Sequence, residues 1–350
     1  MQKLFFLLLI FLIIIRHVEQ KPSFKNGDFI RITTVVTTEP IRYSDRVYLK
    51  IMGLKTYLPL YPEITYGDEI IIEGKVNDGR LLQVNLIKVS ESNNPLFGIR
   101  KSIIEFYRSV LPEPMASLVA GTVLGSKNMP QSFWEKLKST GTAHVVVASG
   151  TNVSMVSVFL MSILVFVVRR GIAIWITIAA IFIYIILSGF DAPIIRAGIM
   201  GGIVFLAQSR GRLVNSWRLL VLTAGVMLLI KPVWLTDLGF ILSFVATMSL
   251  MLFQAKLDSK LQFVPKLLRE GLSTSLVAQI GVAPIIFATF GQFNLLSPVI
   301  NALILWTIPF IMVIGGAAAL ISFIVPSLAR FVLLMVYPFT WWFNMIIQNA

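Results

Sequence analysis

The chain has 350 residues, 56% hydrophobic and 13% charged, with 30 Lys and Arg against 17 Asp and Glu for a formal net charge of +13. With a mean hydropathy of +0.82 it departs from a soluble globular domain and reads as a polytopic membrane protein, its positive balance suiting anionic lipid head groups or a polyanionic ligand. The absence of Cys excludes a disulfide framework and a thiolate metal site, and two histidines, His17 and His144, are too few for a His-rich zinc or metallonuclease centre.

The run Leu4 to Ile15 is apolar between Lys3 and Arg16, shorter than the roughly 20 residues of a usual span. No small-residue cleavage site follows it, so residues 1–20 read as a retained membrane anchor. The periodicity then changes. Val47, Leu49 and Ile51 alternate with Arg46, Tyr48 and Lys50, and Leu82, Val84 and Leu86 alternate with Gln83 and Asn85, as half-buried strands do. Asn77-Asp78-Gly79 marks a tight hairpin. Further strands near Asp28 to Thr38 and Lys55 to Leu60 bring the count to about five, so residues 26–91 are expected to form a small OB-like β-barrel domain. Such a barrel serves as a spacer or as a nucleic-acid contact.

Residues 97–140 read as interfacial amphipathic helices. Phe97 to Leu111 places Ile99, Ile103, Phe106 and Val110 on one face and Arg100, Lys101, Glu105 and Arg108 elsewhere, the pattern of a basic helix lying on a membrane surface. Arg100, Lys101 and Arg108 are therefore candidate contacts to lipid or DNA. Gly121 to Lys127 looks like a phosphate loop, but its spacing and Ser–Lys order are wrong for one. ATP binding is excluded on that ground, no cofactor is expected, and Gly125 to Asn128 reads as a turn.

Eight apolar segments follow, near 143–168, 172–188, 192–209, 217–230, 235–254, 272–290, 297–324 and 328–347. Arg169 and Arg170, then Arg210, Arg212 and Arg218, then Lys256, Lys260, Lys266 and Arg269, then Arg330 fall on alternate connections. The positive-inside rule makes those connections cytoplasmic. It puts the β domain and the C-terminal end outside. The expected architecture is thus mainly α, a polytopic transmembrane bundle with a small extracellular β-barrel domain ahead of it.

Polar groups at membrane depth are costly and mark function. His144, Ser149, Gly150, Asn152, Asp191, Arg196, Asp237 and Ser243 fall in or beside the outer half of the segments, along with Gln279, Gln292, Asn294 and Asn301. Helix breakers accompany them, among them Ser188-Gly189-Phe190-Asp191-Ala192-Pro193 and Ser297-Pro298, so a polar cavity open to the outside is expected. Asp191 and Arg196 are close enough to pair, and that structural reading weighs evenly against a role lining a path. Ser149 and His144 invite a nucleophile-and-base reading, but no Gly-x-Ser-x-Gly turn surrounds the serine, and Ser149-Gly150 reads better as a helix break.

Several of these stretches resemble one family. Thr140-Gly141-Thr142-Ala143-His144 followed by Ala148-Ser149-Gly150-Thr151-Asn152-Val153, with Leu118 to Lys127 ahead, is similar to the competence motif of ComEC proteins. Ser188-Gly189-Phe190 with Arg196, Ala197 and Met200, and Pro232 with Leu238-Gly239-Phe240 and Leu242-Ser243-Phe244, extend the resemblance over nearly the whole chain. Asn152 stands where such proteins often carry a second His, and Ile241 where they carry an acid or Gln.

The resemblance implies a channel in the bacterial inner membrane that takes up single-stranded DNA during natural transformation. It implies as partners single-stranded DNA, membrane lipids, a DNA receptor and a cytoplasmic helicase-like ATPase. It also implies a metallo-β-lactamase-like nuclease domain. This sequence stops at Ala350 without that domain's His and Asp cluster, so the domain is expected to be missing, truncated away or supplied by another protein. For this stretch a channel rather than an enzyme is expected, with a separate nuclease as a further candidate partner. The alternatives are a transporter of a small or lipidic substrate and, less favoured, a membrane-embedded serine hydrolase.

Overall fold

The structure is a computed structural model that describes residues 24–350 except 44, 92–93, 148 and 292–293; the expected anchor at 1–20 and Gln292 lie outside these. Six strands come first: β1 Phe29–Val35, β2 Ile41–Arg42, β3 Val47–Ile51, β4 Leu54–Leu58, β5 Glu69–Asn77 and β6 Arg80–Ser90. Their order in the sheet is β1-β5-β6-β4-β3-β2, with β4 and β6 the parallel pair. The alternation read from the sequence holds in β3, where Val47, Leu49 and Ile51 face an apolar core with Leu54, Leu58, Ile70, Ile72 and Val76. In β6 Val84 and Leu86 pack against that core, but Leu82 is exposed and Leu81 is buried in its place. Asp78 and Gly79 take positive φ (44° and 69°), as the tight turn from β5 to β6 requires.

The closed barrel is not formed. Among the described residues no ladder joins β1 to β2, so the sheet is open. β2 is two residues long and follows Pro40, which has no N–H to give, so it cannot carry the pairing round.

The helices are α1 Pro95–Val110, α2 Met115–Leu124, α3 Gln131–Ser139, α4 Ala143–Val146, α5 Gly150–Val167, α6 Arg170–Ser188, α7 Ala192–Ser209, α8 Ser216–Ile230, α9 Leu238–Lys260, α10 Lys266–Phe290, α11 Ser297–Leu305, α12 Ile308–Ser322, α13 Pro326–Leu334 and α14 Tyr337–Asn349. Five stretches are long and apolar enough to cross a membrane, and up to seven if the bent pairs α11–α12 (45°) and α13–α14 (42°) each count as one. The chain is built as a multi-pass membrane protein. Helices lie along each of the eight expected segments, but α8, at 15 residues, falls short of the length of a span.

Every residue of α2 is buried, and α1, α4, α6, α12 and α14 all pack on it. That changes the reading of α1. Its buried residues are Arg100, Ile103 and Tyr107, and the Tyr107 hydroxyl donates to the Gly315 carbonyl at 2.9 Å. The helix is wedged between the sheet and the bundle and does not lie free on a membrane surface.

The β domain is bolted to this wedge. Glu39 and Arg100 form an ion pair at 2.9 Å with side chains 6% and 4% exposed. Arg100 also donates to the carbonyls of Leu187 (2.7 Å) and Leu124 (3.2 Å) and lies 4.6 Å above the Tyr66 ring. Leu124 ends α2 and Leu187 is in the last turn of α6, so one guanidinium serves carbonyls that two helix ends leave unpaired, where a cation is also favoured by the dipole. Tyr66 donates to Ile186 O at 2.8 Å. Burial pushes its phenol well above the ordinary tyrosine range, so the donor keeps its proton.

Candidate functional site

The broken helix at the start of the membrane domain gives the site its shape. Gly141 turns the chain at φ 71°, α4 stops at Val146, and α5 restarts at Gly150 with Ser149 extended at its N-cap (φ −113°, ψ 171°). The expected break at Ser149-Gly150 is therefore present. Beside it lies a cavity of about 1000 Å³ bounded by the 143–151 break, the N-terminal ends of α7 and α9, and the inner faces of α10 and α11.

This cavity brings together His144, Ser149, Gly150, Asp191, Arg196, Asp237 and Ser243, with Gln279, Asn294 and Asn301 also on its wall. Its wall is in contact with the β domain, where Lys50 of β3 reaches Asp237 at 3.4 Å, and with α3, where Asn294 donates to Ser139 O at 2.7 Å.

The electrostatics are asymmetric. Asp191 is held by Lys127 at 2.9 Å and not by Arg196, so the pairing weighed from the sequence does not occur. Asp237, which also caps α9 through Phe240 N–H (3.2 Å), is held by Lys50. Both carboxylates on the wall are thus matched by lysines. Arg196 is not: among the described residues it has no acidic partner. One of its terminal nitrogens donates to Ser243 O and Thr247 Oγ1, the group sits 5.9 Å from the Phe244 ring, and its Nε has no partner. Lys138 adds a third cation to the wall, after Arg196 and Lys127.

Gly150 explains how α5 comes so near. A Cβ built there would lie 2.8 Å from Arg196 Nη2 and 3.2 Å from Ala197 Cβ, so only glycine leaves the guanidinium its seat.

Asn152 lies behind this wall and not on it. It is fully buried and donates to Thr122 O at 2.8 Å, another carbonyl of the last turn of α2. Its Oδ1 accepts from Ser149 at 3.2 Å, and Ser149 also bonds Thr151 at 2.5 Å. No hydrogen bond joins Ser149 to His144 among the described residues, so nucleophile and base are not in register.

Of the three proposed surface cations, Arg100 is the buried strut described above and is not a surface contact. Lys101 and Arg108 line a smaller hollow of about 360 Å³ between the sheet and α1. Lys101 pairs with Glu91 and Arg108 with Glu113. That hollow holds Glu39, Glu63, Asp68, Glu91 and Glu105 against Arg42, Arg100, Lys101 and Arg108, a balance that gives a polyanion no attraction.

Sequence reasoning passed over Lys127, Lys138, Thr247 and Lys50. Lys127 was visible only as part of a failed phosphate loop, in a turn that Gly125 does make (φ 71°). Lys50 sits in a different domain from the carboxylate it serves.

Comparison with known proteins decides the family. The family model described as "Competence protein" matches residues 123–350. The chain belongs to the competence protein family. The matched region begins inside α2 and takes in the whole cavity. The chain is also similar to "ComE operon protein 3" of Bacillus subtilis (strain 168), 29% identical over 232 residues, which is 65% of this chain and 29% of that protein's length. No solved structure matches. The resemblance read from the motifs is thus confirmed, and it points to a role in competence.

Proposed function

We propose that this competence family member passes single-stranded DNA through the helix bundle by way of the cavity at Arg196. The observation that carries the reading is the unmatched charge of that arginine. Its guanidinium is fixed at membrane depth by Ser243, Thr247 and the absent side chain of Gly150, while the carboxylates on the same wall are each matched by a lysine. Arg196 is half-buried, and a cation withdrawn from water without a counter-ion is costly. A phosphodiester in the cavity would supply what the protein withholds.

The alternation of basic connections supports a β domain and cavity mouth outside and the connections at 169–170, 210–218 and 256–269 inside. The contacts fit that alternation, since the connections carrying Asp191, Asp237 and Asn294 meet the β domain or the helices beside it. On this reading the chain is a channel in the bacterial inner membrane. The driving force comes from a cytoplasmic helicase-like ATPase and strand delivery from a DNA receptor.

The test is Arg196→Met in a strain whose only copy is the variant. Transformation by labelled DNA should fall more than tenfold with unchanged amounts of the protein in the membrane. Uptake at the parental rate would overturn the reading.

A further inference from the structure

We propose that the outward face of β2, β3, β4 and the start of β6 is a single-stranded nucleic-acid platform that hands its strand to the cavity. The inference rests on the DNA-transit reading for its choice of ligand and on the sheet register for its residues.

Directly opposed residues of paired strands share a face. Tyr48 opposes Tyr57 and Lys50 opposes Lys55, and Lys55 in turn opposes Arg80. Val47, Leu49, Ile51, Leu54 and Leu58 fill the core side, so the other side carries two parallel rows, one of tyrosines and one of cations. The Tyr48 and Tyr57 rings are 5.4 Å apart, Arg46 lies 5.5 Å over the Tyr57 ring, and Tyr43 and Tyr57 are 44% and 43% exposed.

Folding gives no reason for the cation row. Like charges directly across strands destabilise a sheet, and three of them stand side by side here. Lys50 is offset by Asp237; Lys55 and Arg80 make no ion pair among the described residues. A ligand of opposite charge would remove the penalty.

The ligand's other property comes from the rings. Exposed aromatic faces beside cations recognise unstacked bases and their backbone together, which a duplex, with its faces hidden, does not offer. The platform is also continuous with the cavity. The ion pair that ends the cation row, Lys50 to Asp237 at 3.4 Å, is made with a residue of the cavity wall, so a strand leaving the row meets the mouth directly.

The experiment measures fluorescence anisotropy of a labelled thymidine oligonucleotide on the full chain in nanodiscs of neutral lipid. A Tyr48→Ala/Tyr57→Ala pair should weaken binding roughly tenfold or more, since each stacked base depends on its ring. A Tyr48→Phe/Tyr57→Phe pair should bind as the parent does. Lys55→Glu/Arg80→Glu, at exposed positions where folding is not at stake, should weaken binding and flatten its salt dependence. Duplex of equal length should bind weakly to every variant. Parental binding by the alanine and glutamate pairs, or a preference for duplex, would overturn the proposal.

The two readings separate cleanly. If the platform variants bind and transform normally while Arg196→Met does not transform, the platform is wrong and the cavity stands. If Arg196→Met transforms normally while the alanine pair still loses the oligonucleotide, the platform stands and the cavity route falls.

Discussion

Arg100 is a buried arginine and Arg196 a half-buried one, and they have opposite surroundings. Arg100 meets a carboxylate, two helix-end carbonyls and an aromatic face; nothing is left over for a ligand. Arg196 meets a carbonyl, a hydroxyl and a ring, with a cavity on the remaining side. Burial of a charge therefore does not mark a site. A charge that is withdrawn from water and left without its counter-ion does.

The largest test of that contrast is stability. Glu39→Gln should strip Arg100, whose side chain is 4% exposed, of its counter-ion, a loss of about 3–5 kcal/mol for a broken buried pair. Thermal unfolding in detergent should show it as a lower midpoint. Arg196→Met has no partner to orphan, because Thr247 Oγ1 keeps its own bond to Ser243 O at 2.9 Å, and its stability should stay within about 1 kcal/mol of the parent. Equal destabilisation by both changes would erase the distinction.

The second test uses the glycine seat. Gly150→Ala puts a methyl carbon 2.8 Å from Arg196 Nη2, the end of a flexible side chain that can shift, so its cost should lie at the low end of overpacking, about 1 kcal/mol. It should also lower transformation by displacing the guanidinium. Combined with Arg196→Met the penalty should largely vanish, giving a coupling of about 0.5–1 kcal/mol in a double-mutant cycle. Additive effects would mean that the glycine answers to the backbone and not to the arginine.

The same pair shows what a linear sequence can carry. The membrane helices were legible because their apolar runs and charged connections are local. The hairpin at Asn77-Asp78-Gly79 and the break at Ser149-Gly150 were legible because a turn or a helix start is decided by its own few residues. The cavity residues were found in bulk because polar groups at membrane depth stand out from their neighbours. The partners were not. Arg100 looked like a surface charge because Glu39 is 61 residues away and the orphan carbonyls of α2 and α6 are a property of where helices end in space. Arg196 was weighed evenly as a partner of Asp191, which is near in sequence, and as a lining of a path, yet Lys127 takes that carboxylate from the α2–α3 connection. The barrel failed for a related reason: alternation specifies strands and faces but not whether the last edge meets the first.

Asn152 supplies a smaller test. It was singled out as a polar group facing the path, and its geometry makes it a cap for α2 through Thr122 O. Asn152→Ala should cost about 1–3 kcal/mol by leaving a buried carbonyl unpaired. Oligonucleotide binding to the folded fraction should be unchanged, whereas a loss of binding in fully folded protein would return Asn152 to the path.

The smallest expected effect is at the joint between the two domains. Lys50 and Asp237 are 41% and 31% exposed along their side chains, and a pair so open to solvent is worth at most about 1 kcal/mol. Lys50→Met should therefore leave the unfolding midpoint within error of the parent. If the pair matters only by holding one end of the cation row at the cavity mouth, transformation should fall while oligonucleotide binding, still supplied by Tyr48, Tyr57, Lys55 and Arg80, changes little. A fall in binding equal to the fall in transformation would mean that Lys50 contacts the strand directly and that Asp237 merely stores it between passages.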